Sequence, residues 1–410
     1  MGKWLRVSMS HPPPWLKASL TETHLEAVLQ TLQSRENARE MARSASRRRF
    51  QSFTPRIHPI ASDRQLSPND IAHYAVSCGN LPQNQLHNRY LDLEPYDRTR
   101  VAVGTGDEES ASDGGDRYLN ANWVRELFGG KWWIATQAPL PQSTHVFLTL
   151  ILQPITCPPP HVPHQSPRKT RVRTVVQLTQ NIEQGRRKAH AYFPTTVGHS
   201  QLVAPEPGHA APLLKVTLLE TRTVSEAQCL ISTVSLVPVS HPTSAGGAEA
   251  EPVVFRHLLY WAWPDHGVPS RQDRPSFLEF TRLVERTNKD ASIVSTRQQT
   301  SQGLEPDPDP PIIVNCSAGV GRTGAFIALS SLLRAHGRLS PSSSTGAPPT
   351  PHIPAPSELS PSPLGPLPNS LLEDLVAQEI DSLREQRPSM VQRDEQILLI
   401  YDVLINSFSR

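Results

Sequence analysis

Val314-Asn315-Cys316-Ser317-Ala318-Gly319-Val320-Gly321-Arg322-Thr323-Gly324 decides how this chain is read. The run that enters it, Pro311-Ile312-Ile313-Val314-Asn315, is short and almost continuously apolar, the pattern of a strand buried inside a sheet. The glycines mark a tight turn, and a helix is expected from about Thr323 to Ala335. Backbone N–H groups in such a turn, with the helix N-terminus behind them, form a nest for an anion. A cysteine at the lip of that nest has its pKa lowered and supplies thiolate at neutral pH. Arg322 follows Cys316 by six residues, and its planar fork matches two oxygens of a tetrahedral oxyanion. A Cys-x5-Arg spacing alone is common by chance; the order strand, cysteine, glycine loop, Arg-Thr, helix is not. No Gly-Lys-Ser/Thr follows the glycines, which excludes a nucleotide-binding loop. The segment is built for a phosphoryl group attacked by sulfur.

The composition around it describes a globular core diluted by disordered inserts. Proline makes up 41 of the 410 residues, about double ordinary usage, and ten prolines fall between Pro341 and Ser370. Hydrophobic residues at 37% and charged residues at 19% are both low for a fully packed chain. No apolar run reaches about 18 residues, so no transmembrane helix is expected. The first ten residues lack an apolar signal core, and Arg6 stands where a myristoylation motif has Ser or Thr. Cys78, Cys157, Cys229 and Cys316 are scattered with no C-x-x-C pair. That argues against a zinc ribbon or a disulfide scaffold and suits a reducing cytosol, so a cytoplasmic location is expected. A net charge of +2 calls for no nucleic-acid partner.

Residues 1–66 read as an extension that is helical in pieces, with Leu25, Val28, Leu29 and Leu32 at helical spacing. A loose basic stretch from Arg47-Arg48-Arg49 to Arg64 reads as a solvated linker. Residues 67–410 form the main domain. Tyr118 to Val124 and Trp132 to Gln137 read as strands around a Gly129-Gly130 turn, and Pro141 to Leu152 as a buried helix. Further strands are expected at Leu213–Glu220, Gln228–Leu236 and Val253–Trp261, and helices at Phe277–Arg286, Leu371–Gln386 and Glu395–Phe408. Inserts interrupt this pattern at about 154–173, 240–251, 287–310 and 338–370. The Pro-rich insert reads as a spacer, with docking to an SH3-type partner as the alternative.

The signature resembles that of the tyrosine-specific protein tyrosine phosphatases, and seven blocks in order support the resemblance over about residues 78–408. Asn88 to Val101 is similar to the family's phosphotyrosine loop. Tyr118 to Asn122, Thr136 to Pro141 and Val176 to Thr179 with Glu183 and Lys188 are similar to the next blocks. Trp263-Pro264-Asp265-His266-Gly267 looks like the mobile acid loop, and Gln386 to Gln392 with Gln396 like the glutamine block. The resemblance implies an α/β fold, a single catalytic domain with a highly twisted mixed β-sheet flanked by helices, no cofactor and no metal. It also implies hydrolysis of phosphotyrosine in proteins, in intracellular signalling.

Roles follow from the resemblance. Cys316 would be the nucleophile, Arg322 and the amides of Ser317, Ala318, Gly319, Val320 and Gly321 the phosphate cradle, and Asp265 the general acid. Tyr90 would wall a slot too deep for phosphoserine, and Asp92 would hold the substrate backbone. Gln392 and Gln396, four apart on one helical face, would place the hydrolytic water. Thr323 would hydrogen-bond the sulfur, Glu183 would pre-set the Arg322 fork, Lys188 would contact the acid loop, and Trp263 would anchor it. Two departures stand out: Asn315 replaces the family's His, which is expected to attenuate the thiol while still donating hydrogen bonds to the loop, and Ser389 replaces a Gly. The rival reading is an attenuated phosphatase acting mainly as a phosphotyrosine-binding module. A dual-specificity enzyme is disfavoured by Tyr90.

A thiolate, an arginine and an amide nest need no Lewis acid. Turnover of a phosphotyrosine peptide is therefore expected to be unaffected by EDTA and absent in Cys316→Ser; activity that vanishes with chelator and returns with a divalent ion would contradict this reading.

Overall fold

In the computed structural model the described residues are 12–51, 66–104, 117–160, 162, 167–239, 251–265, 267–295, 304–305, 307–342 and 361–408. The strands are β1 (Ala121–Arg125), β2 (Trp132–Gln137), β3 (Ile155–Cys157), β4 (Arg168–Thr170), β5 (Thr174–Gln177), β6 (Ile182–Glu183), β7 (Arg186–Arg187), β8 (Ser200–Val203), β9 (Leu213–Val224), β10 (Cys229–Val239), β11 (Val253–Tyr260) and β12 (Ile312–Cys316). Eight of them form one mixed sheet in the order β1-β2-β12-β5-β11-β10-β9-β8. β12 runs parallel to both β2 and β5, which puts the strand that ends in Cys316 inside the sheet. Its continuous apolar run follows from burial on both faces.

Alternation along β12 sends Ile312, Val314 and Cys316 to one core and Ile313 to the other. The first core packs helix Gly321–Ala335 against helices Arg274–Lys289, Leu375–Gln386 and Asp394–Ser407. The second packs helix Thr144–Leu152 against Ile134, Val175 and Phe255. Gly130, at φ +72°, closes the β1–β2 turn as the Gly-Gly pair requires. No helix among the described residues is long and apolar enough to cross a membrane.

The N-terminal extension differs from its reading in pieces. Residues Glu22–Gln51 form one helix of 30 residues. Val28 and Leu32, both fully buried, join the same core as the helix that follows Cys316. The basic stretch does not begin as a solvated linker. Arg47 pairs with Glu94, and its predecessors at four-residue spacing, Arg35, Arg39 and Arg43, pair with Asp381, Glu385 and Glu36. Four residues is about one helical turn, so these arginines share one face; Arg35, Arg39 and Arg47 meet acidic groups of the domain, and Arg43 is held by Glu36 of its own helix.

The inserts also differ from a wholly disordered reading. Residues 155–157 and 168–170 pair as a two-stranded ribbon, with Ile155, Val162 and Val172 buried in the second core. Residues 287–289 complete the Arg274–Lys289 helix, and Asp309 is buried beside Lys131. Within 338–370, Leu367 is buried in the first core, Gly365 O accepts from Arg35 at 2.8 Å, and Ser362 Oγ donates to Glu385 at 2.9 Å. Residues 240–250, 296–303 and 343–360 lie outside the described residues, as do Pro348 to Pro354.

Replacing residues 343–360 by a short Gly/Ser linker is expected to change stability by less than about 1 kcal/mol, since loop length enters only logarithmically. Extending the deletion through residue 369 is expected to cost about 3 kcal/mol, because Leu367 burial and the Arg35 bonds go with it. Urea midpoints at constant slope distinguish the two.

Candidate active site

Cys316 ends β12, and helix Gly321–Ala335 begins five residues later. The intervening peptides turn their carbonyls backward, where each finds a donor. Ala138 N donates to Ser317 O at 3.1 Å. Arg387 donates from NH2 to Ala318 O at 3.1 Å and from Nε to Gly319 O at 2.8 Å. Gly324 N and Val391 N donate to Val320 O at 2.8 and 3.3 Å. With the carbonyls held there, the loop is free to present its N–H groups on the cysteine side, and Gly319 N donates to Cys316 Sγ at 3.2 Å. Gly319 is at φ +71°, and a Cβ there would come within 2.0 Å of Thr136 O, so only glycine fits.

The thiol is 5% exposed. Burial alone would raise its pKa. The Thr323 hydroxyl, the Arg322 charge and the N–H groups of Thr323 and Val320 outweigh that and leave it below the ordinary thiol value. Thr323 Oγ1 has no hydrogen-bond partner of normal geometry among the described residues, so its action on sulfur is that of a nearby dipole. Arg322 is gripped from outside by Glu183 at 2.7 and 2.8 Å, a fork-to-fork pair. Glu183 in turn accepts from Thr179 Oγ1 at 2.8 Å and Gln180 N at 3.0 Å. Burial opposes the Arg322 charge, but Glu183 more than offsets it and the pKa is raised.

The acid loop lies over this floor. Arg322 NH2 donates to Pro264 O at 3.1 Å and stands 3.5 Å from Asp265 Oδ1. Lys188 Nζ is 2.9 Å from the same Asp265 oxygen. Trp263, buried, donates from Nε1 to Gly267 O at 2.9 Å and closes the loop's base. Across the slot, Ser317 Oγ donates to Lys188 O at 2.8 Å and accepts from the Tyr90 hydroxyl at 2.9 Å. Tyr90, Asp92, Lys188, Asp265, Cys316, Ser317, Ala318, Gly321, Arg322, Gln392 and Gln396 line one cavity of about 230 Å³.

Two readings change. Gln392 and Gln396 do not share a helical face, because helix Asp394–Ser407 starts after Gln392. A kink with Ser389 at φ +56° and Val391 at φ +55° brings Gln392 to the cavity instead. The left-handed φ at 389 explains why glycine suits that position, and the Ser389 hydroxyl gains a hydrogen bond to Glu36 at 3.2 Å. Asn315 does not hydrogen-bond the loop. Its side chain points to the face opposite Cys316, is fully buried, and neither Oδ1 nor Nδ2 has a hydrogen-bond partner among the described residues.

Arg387 lies inside the glutamine block, where sequence alone gives it no role. It is fully buried and also donates to Asn122 Oδ1 at 2.8 Å and Asn120 Oδ1 at 2.9 Å. Burial pulls its pKa down to about 10, so it stays charged at neutral pH beneath the cysteine loop. Its signal was its place in the glutamine block and nothing more. No group of three or more His, Cys, Asp or Glu among the described residues is arranged to hold a metal ion.

A sheet-buried cysteine, a carbonyl-out glycine loop and a clamped arginine form a cradle whose geometry and charge suit a tetrahedral oxyanion. The chain belongs to the protein-tyrosine phosphatase family, whose profile matches residues 84–340. It is 34% identical over 257 residues to human receptor-type tyrosine-protein phosphatase H, which covers 62% of this chain and 18% of that protein. It is 29% identical over 339 residues to mouse tyrosine-protein phosphatase non-receptor type 18, covering 82% and 55%. Human tyrosine-protein phosphatase non-receptor type 14 is 29% identical over 298 residues, 71% of this chain and 21% of the relative. This chain thus spans under two thirds of the length of these curated relatives. The crystal structure of the catalytic domain of human protein tyrosine phosphatase non-receptor type 18 shares the fold, with a TM-score of 0.53 at 23% identity over 82% of this chain and 88% of that one. Gln392 and Gln396 lie beyond the residues that the family profile matches, and both line the cavity.

A buried amide without partners costs about 1–3 kcal/mol. Asn315→Leu is accordingly expected to raise stability by about 1 kcal/mol while leaving the pH profile of Cys316 alkylation where it is. Lower stability or a moved profile would mean that the amide supports the loop after all.

Proposed function

We propose that this chain hydrolyses phosphotyrosine in proteins through a cysteinyl-phosphate intermediate. The observation that carries the reading is convergence: Cys316, Arg322, Asp265, Tyr90 and Gln392 come from four separate segments and line one cavity. The Cys316 thiolate attacks phosphorus, the S–P bond forms and the ester P–O bond breaks. Arg322 and the amides of residues 317–322 hold the three equatorial oxygens where charge gathers. Asp265 gives its proton to the leaving phenolate. Gln392 and Gln396 then place a water, Asp265 takes its proton, and the S–P bond breaks to release phosphate. Thr323 stabilises the departing thiolate.

Tyr90 is 38% exposed and tied at its hydroxyl to the loop floor, which supports a rigid aromatic wall as deep as a phosphotyrosine ring. Asp92 takes the substrate backbone, and Glu183, Lys188 and Trp263 hold the catalytic groups in place. The catalytic domain is residues 67–410, with residues 1–66 as an extension whose helix packs on it. A cytoplasmic location fits four free cysteines. An SH3-type partner for the Pro-rich insert rests on composition alone. The binding-module alternative is not favoured: Asn315 faces away from the thiol, and the thiol pKa is lowered.

Asp265→Ala is expected to lower turnover about 10²–10⁴-fold, the usual span for a general acid, with peptide binding retained. The loss should shrink for aryl phosphates whose leaving group needs no proton. Steady-state rates across a leaving-group series read this directly, and an equal loss throughout would assign Asp265 a structural role.

A further inference from the structure

Asp92 sits on the cavity rim in a stretch with no helix or strand to hold it. The restraint comes from the N-terminal helix. Arg47 NH2 donates to Asp92 O at 2.9 Å and to Glu94 Oε2 at 2.8 Å, and Arg47 Nε reaches Glu94 Oε1 at 3.2 Å. Glu40, two helical turns back, holds Arg47 NH1 at 2.9 Å and fixes the fork's direction. The Glu94 side chain is 3% exposed, so this pair is screened far less than a surface ion pair.

The same helix touches the opposite wall. Glu36 accepts from Ser389 Oγ at 3.2 Å. Leu32 O accepts from Arg384, whose other nitrogens hold Met390 O at 2.9 Å and Val391 O at 2.7 Å, just ahead of Gln392. From Glu36 to Arg47 is roughly 16 Å of helix, enough to reach both sides of the slot.

We propose that Arg47 is a positioning residue for substrate recognition: it fixes the main chain at Asp92 so that the Asp92 carboxylate meets the backbone amide of a phosphotyrosine peptide. The inference rests on the phosphatase reading above and on Asp92 as the backbone contact. Its consequence is selective. A peptide uses the rim, whereas a small aryl phosphate uses only the floor.

The test measures binding in a Cys316→Ser background, so that it does not depend on turnover. A phosphotyrosine peptide and phenyl phosphate are titrated into the parent, Arg47→Met and Arg47→Lys. Arg47→Met is expected to weaken peptide binding about tenfold, the loss of a charge-assisted hydrogen bond, with phenyl phosphate affinity unchanged. Arg47→Lys keeps a charge near Glu94 but cannot span both acceptors, and should fall between. It also serves should Arg47→Met fail to fold. Unchanged peptide affinity in the variants overturns the proposal. So does an equal loss for both ligands, which would mark a general structural role. A parent that binds neither ligand would instead overturn the phosphatase reading itself.

Discussion

A nest of N–H groups exists only where the carbonyls of the same peptides are taken up behind it, and Arg387 takes up two of the four. A guanidinium in a dry interior costs several kcal/mol unless its donors are matched. Here Ala318 O, Gly319 O, Asn120 Oδ1 and Asn122 Oδ1 match them. The same cation adds positive potential under the sulfur, which favours thiolate over thiol. Asn120 and Asn122 flank and occupy β1, so the sheet edge, the cysteine loop and the chain after helix Leu375–Gln386 share one fixed geometry.

The approach of residue 391 adds a second constraint. Val391 N bonds Val320 O, and a Cβ on Gly324 would meet Val391 N at 2.4 Å. Close backbone contact at that point sets where Gln392 falls. It also explains the left-handed residues 389 and 391: the chain must reverse within a few residues to reach the loop and still enter the next helix. Ser389 accepts that conformation with help from Glu36 on the N-terminal helix.

Charge holds the walls in the same manner. Glu183 presents both oxygens to Arg322, and Arg39 and Arg43 are buried among Asp381, Glu385, Glu36 and Glu40. Buried pairs of this kind contribute little net stability once desolvation is counted. Their effect is directional: each fork accepts one arrangement of its carboxylates, and a slot assembled from separate loops needs fixed directions.

The sequence by itself determined the cysteine loop, because a buried strand, a glycine turn and an N-terminal helix turn are local, and their residues are contiguous. It also determined the order of the main strands and helices, since periodicity is local, and the family, since the seven blocks keep their order. Tertiary structure decided the rest. Arg387, Arg47 and Glu36 act on residues tens to hundreds of positions away, and nothing near them in the chain marks their partners. The four-residue spacing of Arg35, Arg39, Arg43 and Arg47 was legible as a helix face, but an arginine face reads as solvated until the acidic surface opposite it is known. Asn315 was legible as a departure, yet strand alternation inside the folded sheet decided that it faces away from sulfur. Composition assigned Leu367 and Ile155 to disordered inserts, whereas burial depends on which surface the chain passes over, and that surface exists only once the sheet and helices are assembled.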